Sequence, residues 1–371
     1  MNKIIKPTQP IMPSMEDYIK EISSIWENGV MTNNGEKVNK FKSKIIEYTH
    51  CENADLFVNG HSALVIALQA LNLQGEVITS PFTFVSTTNA IVQNGLTPVF
   101  GDIDDTYNLS PDSIEELVTE KTCAIVTPHI FGIPCDVQKI ENIAKKHNLK
   151  VIYDGAQAFG TKIHGTDISC FGDITMFSLH AIKIFNSIEG GLLTYKDENL
   201  HRTFELLRNF GISYGESGND VELVGMNAKM NEFQAAMGIV NLPNIDDEIK
   251  KRKKIAQWYC EGLKDIPGIY TYNYQDNIDY NYAYFPIKVI NEEYGISRDE
   301  LWVKLKEIGI HTRKLYDKLT CDYKCYKDME FMRKTENAEK VTEIALDLPI
   351  YGGLLKSDID YIMDEIEKIR Q

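Results

Sequence analysis

This chain has no surplus of positive charge, no cysteines in a CxxC spacing and no long apolar run. Each absence removes a class of function. A formal net charge of −15 argues against a nucleic-acid partner, which needs clustered Lys and Arg. No stretch approaches the ~18–20 apolar residues that cross a bilayer, so no membrane partner is expected. The opening MNKIIKPTQPIMPSMEDY holds no apolar core of signal-peptide length. Seven cysteines, an odd count, are scattered at Cys51, Cys123, Cys135, Cys170, Cys260, Cys321 and Cys325. They read as free thiols in a reducing cytosol, and hence as a cytoplasmic protein. Cys321 and Cys325 lie close in sequence, but no His or second Cys pair completes a zinc site, so no metal is expected. A GxGxxG turn after the first strand is also missing, which speaks against a nucleotide-binding dehydrogenase.

What is present is ordinary in bulk and informative in order. The 371 residues, 43% hydrophobic and 25% charged, are enough for a large core and two or three domains' worth of chain. Short apolar runs alternate with helical patterns: LFV (56–58), SALVIALQALN, EVIT, STTNAIVQNG, TPVFGDI, SPDSIEELV with a serine cap, CAIVT, DVQKIENIAKKHN and KVIYD. This rhythm predicts a mostly parallel sheet covered by helices. ITMFSL and GGLLTY leave little room for a helix between them and are expected in the same sheet. From NLPNIDDEIKKRKKIAQWYCEGL onward the texture changes to a long charged helix, then mixed strands and helices. The division expected is a large domain over 1–244 and a smaller α+β domain over 245–371.

Ligand sites in open parallel sheets lie beyond the carboxyl ends of the strands. That rule selects 59–62, 81–84, 154–157 and 178–183. NGHSAL, ending at Leu64, offers free backbone N–H groups at a helix start, suited to a phosphate; a plain strand-to-helix turn reads the same way. Phe84 is an aromatic able to stack on a flat ring, or a core phenylalanine. Asp154 ends a strand, as an acceptor for a protonated ring nitrogen or as a cap. Lys183 is a lone amine in the apolar, small-residue stretch FSLHAIKIFNSIEGG. A lysine buried without a partner is costly or loses its proton, which makes it a nucleophile suited to a Schiff base. The alternative is a buried stem with its head in water. Taken together, the four parts match pyridoxal phosphate: phosphate tail, flat ring, pyridine nitrogen and aldehyde.

The stretches NGHSALVIALQAL, EVITSPFTFVSTTNAI, TPVFGDID, VIYDGAQAFG, FSLHAIKIFNSIEGG and GMNAKMNEFQAAMG resemble, in this order, the sugar aminotransferases of the DegT/DnrJ/EryC1/StrS family. The resemblance implies the aspartate-aminotransferase-like fold (fold type I), with a mostly parallel seven-stranded sheet in the large domain. It implies that Lys183 carries the cofactor, that Asp154 partners the pyridine nitrogen, and that Gln157 lies near the ring hydroxyl. Phe84 would stack on the ring, and Gly60, His61, Ser62 and Ser178 would hold the phosphate. The family usually has Thr or Ser where His61 stands, so only the backbone contact carries over there. Asn227 and Lys229 match a segment lent to the neighbouring subunit's phosphate, which implies a homodimer with shared sites. Arg313 and Tyr316, in GIHTRKLYDKL, match the segment that reaches the sugar nucleotide, with a solvated helix end as the alternative. The implied reaction is glutamate-dependent transamination of a nucleotide-linked keto sugar, closest to the branch acting on dTDP-4-keto-6-deoxyglucose. The alternatives are a 3-aminotransferase, a dehydratase of the same fold, and a non-catalytic binding protein. A surface glycan such as a lipopolysaccharide O-antigen is the implied destination.

Overall fold

The apolar runs between residues 53 and 195 become seven strands of one sheet in the computed structural model, which describes residues 4–215, 218–326, 328, 329 and 331–370. The strands are β1 (Asn53–Phe57), β2 (Glu76–Thr79), β3 (Thr97–Phe100), β4 (Thr122–Pro128), β5 (Lys150–Asp154), β6 (Ile174–Ser178) and β7 (Gly191–Tyr195). Their spatial order is β1-β7-β6-β5-β4-β2-β3. Only β7 runs against its neighbours, pairing antiparallel with both β1 and β6. The expectation of a mostly parallel seven-stranded sheet holds.

Both faces of the sheet are covered, so its strands are apolar at successive positions rather than alternate ones. The period of two still sorts residues between faces. Val77, Val126, Ile152, Met176 and Leu193 join one core with the helix Gly60–Ala70. Their neighbours Ile78, Ile125, Tyr153, Phe177 and Leu192 join the other. The helix Gly60–Ala70 is apolar around most of its circumference, with seven buried residues, as a helix packed on several sides must be. The helix Val137–His147 starts where Asp136 accepts a hydrogen bond from Lys139 N (3.1 Å). It ends at Asn148 in the left-handed conformation, with three basic residues in its last turn. Ser110 heads the helix Pro111–Leu117 as expected, but its hydroxyl makes no capping bond; it is Pro111, with its preset φ, that begins the helix.

The long charged helix Ile245–Leu263 leads to a second, antiparallel sheet of β8 (Ile269–Thr271), β9 (Phe285–Val289) and β10 (Ala345–Leu348). The N-terminal segment returns to this region: Ile5 N donates to Gly309 O, and His311 N donates to Ile5 O (both 2.9 Å). One consequence matters for the site. The segment 313–320 lies over the carboxyl ends of the large sheet's strands, tied to β10 through Arg313 and to residue 81 by the bond from Thr320 N to Pro81 O (2.9 Å).

Candidate active site

A cavity of about 720 Å³ opens beyond the carboxyl ends of β1, β5 and β6. Its wall includes Gly60, His61, Ser62, Phe84, Asp154, Gln157, Ser178, Lys183, Arg313 and Tyr316. Ten of the twelve residues singled out in the sequence thus meet around one space. Asn227 and Lys229 do not.

Asp154 follows Ile152 by two, so it inherits the face shared with the helix Val85–Gln93. Thr87 of that helix donates to Asp154 Oδ2 (2.7 Å), and Ala156 N donates to Oδ1 (3.1 Å). Thr83 continues the chain, 3.2 Å from the Thr87 hydroxyl. The carboxyl is 5% exposed and, among the described residues, bonds to no cationic side chain. Burial pushes its pKa above the usual range, against the two hydrogen bonds and the more distant charges of Lys183 and His61. A buried carboxyl without a contacting cation is what a protonated ring nitrogen would satisfy.

Lys183 sits in the 179–190 connection between the antiparallel strands β6 and β7. It is half-buried at the cavity wall, not sealed in the apolar surroundings that the sequence suggests, because the connection is a surface loop. Its backbone N–H donates to His180 O (2.8 Å). His180 Nδ1 accepts from Ile182 N (3.3 Å), which leaves the ring hydrogen on Nε2, 3.3 Å from Glu189 Oε1. This clip ties the two ends of the loop around the amine.

The turn after β1 starts the helix Gly60–Ala70, with Asn59 Oδ1 accepting from Ser62 N (2.8 Å). Space here is minimal. A Cβ on Gly60 would lie 3.0 Å from Ser178 Cβ, and one on Gly191 would lie 2.2 Å from Asn59 O. The helix start is thereby pressed against β6 and β7, with its first N–H groups at the cavity. His61 turns its Nδ1 to Ser86 Oγ (2.9 Å). Phe84, 64% exposed, presents a large apolar ring at the cavity wall.

Gln157 is fixed at both ends of its amide. Its Oε1 accepts from Phe131 N (2.6 Å), and its Nε2 donates to the Tyr316 hydroxyl. Tyr316 is no solvated helix end. It is buried, well past the helix Arg298–Glu307. Arg313 is likewise fixed: Nε and Nη2 both donate to Asp347 Oδ2 (2.9 and 2.6 Å), and its guanidinium lies 4.8 Å from the Tyr284 ring centre. Burial pushes the Asp347 carboxyl up, and the Arg313 charge pulls it back. Asn227 is exposed on the far side of β1, where Lys229 Nζ bonds to Asn209 Oδ1 (2.5 Å) and Asn227 Oδ1 (3.2 Å). Burial pushes the Lys229 ammonium pKa down, and the charge of Arg208 adds to that.

Thr87, His180, Glu189, Tyr284 and Asp347 were not singled out in the sequence. Thr87 had a signal: it stands one helical turn after Phe84 at a strand–helix junction already selected. Asp347 had none, because it meets Arg313 only through an isolated antiparallel bridge between the 313–320 segment and β10.

Together the cavity offers an anion-binding helix start, an exposed ring, a buried carboxyl in need of a cation, and a half-buried amine. That set fits pyridoxal phosphate group for group.

A model of the DegT/DnrJ/EryC1/StrS aminotransferase family matches residues 14–367. A dTDP-4-amino-4,6-dideoxy-D-glucose transaminase of Shigella dysenteriae is 38% identical over 371 residues, covering all of both chains. One of Escherichia coli is 38% identical over 359 residues, covering 95% of each. Among solved structures, DesI crystallised with its TDP-sugar product superposes with a TM-score of 0.93 at 28% identity, covering 100% of this chain and 94% of that one.

Proposed function

This chain belongs to the DegT/DnrJ/EryC1/StrS aminotransferase family, and from that membership we propose that it moves the amino group of glutamate to C4 of dTDP-4-keto-6-deoxyglucose, giving dTDP-4-amino-4,6-dideoxyglucose and 2-oxoglutarate. Pyridoxal phosphate is its cofactor, as throughout the family. The observation that carries the substrate assignment is 38% identity, along the full length, to a transaminase named for that amino sugar.

When bound, the cofactor supplies an electron sink for the carbanion formed as a carbon beside nitrogen loses its proton. The remaining work falls to the chain. Lys183 Nζ, at the cavity wall, would hold the cofactor between turnovers. It then takes a proton from the α-carbon of glutamate, and in the second half-reaction delivers one to C4 of the sugar. Asp154 keeps the ring nitrogen protonated, and Thr87 and Ala156 N–H hold that carboxylate in place. The N–H groups at the start of the helix Gly60–Ala70, with Ser178, take the phosphate. Phe84, exposed at the cavity wall, would cover one face of the ring. Ile182, Leu315 and Phe84 give the cavity an apolar wall, which suits the methyl group at C6 of a 6-deoxy sugar.

Asn227 and Lys229 serve the partner's phosphate in this reading, in a cytoplasmic homodimer. Exposed apolar residues beside them (Phe210, Tyr214, Val221 and Val224), and along the helix Met15–Asn28 (Met15, Ile19 and Trp26), support such an interface. All seven cysteines are free thiols, which suits a reducing compartment. No described helix is long and apolar enough to cross a membrane.

The test is incubation of the purified protein with pyridoxal phosphate, glutamate and dTDP-4-keto-6-deoxyglucose, with the product read by NMR. The expected product carries nitrogen at C4. Turnover only of the 3-keto isomer would refute the position, and no binding of pyridoxal phosphate would refute the whole reading. Mixing Lys183→Ala with Lys229→Ala protein tests the shared site: two inactive parents should regain activity if each subunit completes the other.

A further inference from the structure

A second cavity, of about 530 Å³, lies in the smaller domain between the helix Ile245–Leu263 and the chain that follows β8. Its size suits a small ligand, and it shares no wall residue with the active-site cavity. The helix contributes Lys253, Ala256, Gln257 and Cys260, one face at spacings of three and four. The other wall is aromatic. Tyr274 stands among three rings, with centres 5.2 Å from Tyr272, 4.9 Å from Tyr280 and 5.0 Å from Tyr282.

Tyr282 is 9% exposed and helps to wall this cavity, yet its hydroxyl makes no hydrogen bond among the described residues. Burial pushes its pKa up to about 12, so the phenol keeps its hydrogen. A buried hydroxyl without a partner is costly, and the open side of this one is the cavity. Its backbone is strained as well, at φ +52°, in the left-handed region that bulky L-residues rarely adopt. That strain is imposed from both sides. Asn281, fully buried, donates from Nδ2 to Gln157 O (2.8 Å) and Phe159 O (3.0 Å), and its Oδ1 accepts from Ala283 N (3.0 Å). The charge on the wall is lopsided. Asp276 and Asp279 stand against one cation, Lys253, and none of the three closes an ion pair among the described residues. Lys162 faces Asp279 and Asp167 across its strand pairings and closes one with neither. A phosphate would meet more like charge than opposite charge here. A cation meets two free carboxylates and the faces of the tyrosine rings, which attract it in their own right. The side-chain amides of Gln257 and Gln275 and the free Tyr282 hydroxyl add groups that suit hydroxyls.

We propose that this cavity is a second binding site, for an amino sugar: the ammonium group lies against the tyrosine rings near Asp276 and Asp279, and the ring hydroxyls bond to the Tyr282 hydroxyl and the two amides. The site is separate from the cofactor cavity, and its occupancy does not depend on the reaction proposed above. Both sides of Tyr282 nevertheless lead there. Asn281 holds the backbone of Gln157, and Tyr284, two residues on, stands in the active-site wall.

The probe is D-glucosamine, with D-glucose and N-acetyl-D-glucosamine as neutral controls. Binding is read by saturation-transfer NMR on the full-length protein, with pyridoxal phosphate and excess dTDP present to occupy the active-site cavity. Glucosamine should bind with a dissociation constant on the order of 1 mM, and the neutral sugars should bind at least about fivefold more weakly. Asp276→Asn combined with Asp279→Asn changes two exposed side chains, so the fold should hold and transaminase turnover should stay within about twofold. That pair should weaken glucosamine by about 5- to 10-fold. Tyr282→Phe should weaken it by about 2- to 10-fold through the lost hydrogen bond. Equal binding of the three sugars, no binding of glucosamine, or glucosamine binding unmoved by the two asparagines overturns the proposal.

Discussion

Replacing Asp154 with asparagine should move stability and activity in opposite directions. In the cofactor-free protein this carboxyl is buried and its pKa is raised, chiefly by desolvation. The unfolded chain releases that proton near pH 3.9, whereas the folded one keeps it to higher pH. As pH rises between those two values the unfolded state gains more, so the aspartate erodes stability, and above the folded value the loss is constant. Asparagine has no proton to lose. Its amide can also be satisfied, because the Thr83–Thr87 hydroxyl chain can reverse and accept from it. Apo Asp154→Asn should therefore be at least as stable as wild type at pH 7, and flatter in its pH dependence. Catalysis should suffer, because a buried cation that loses its partner costs about 3–5 kcal/mol. That corresponds to a drop in kcat of roughly 10²–10⁴. Denaturant melts of the apo protein from pH 5 to 8, with half-reaction kinetics on glutamate, read both effects. Turnover within tenfold of wild type, or an apo variant that melts well below it, would refute the account of Asp154.

Thr87→Val keeps the volume and deletes the donor to Asp154 Oδ2, and should weaken cofactor affinity by about 10- to 100-fold in equilibrium dialysis. Phe84→Ala should leave denaturant stability within about 0.5 kcal/mol, because the ring is 64% exposed. The same variant should weaken pyridoxal phosphate by about tenfold through the lost stacking. Asp347→Ala strands Arg313 and the Phe285 N–H, and should cost about 3–5 kcal/mol in the melt. Arg313→Met combined with Asp347→Leu should recover much of that stability without recovering activity.

Much of the fold was legible because parallel strands buried on both faces leave nearly continuous apolar runs, as in CAIVT and KVIYD. The strand-end rule then selected Asp154, Phe84 and the Gly60–Ser62 turn before any contact was known. Lys183 was legible as a lone amine, but its half-exposed setting was not, since a loop's depth depends on what packs beside it. The roles of Gln157 and Tyr316 were less legible. Their hydrogen bond joins residues 159 apart in sequence, and Phe131, whose N–H fixes the amide, lies on a third segment. The Arg313–Asp347 pair depended on a single bridge from the 313–320 segment to β10, which no local pattern encodes.

The close approach of Asn59 to Gly191, and of Gly60 to Ser178, bears on any attempt to retrain this protein for another sugar. The side wall at Ile182 is open to redesign, since that exposed side chain borders the void. The floor is different: there a single added methyl would wedge the anion-gripping turn away from the strand leading to the amine, and the two ends of one cofactor would no longer be reached together.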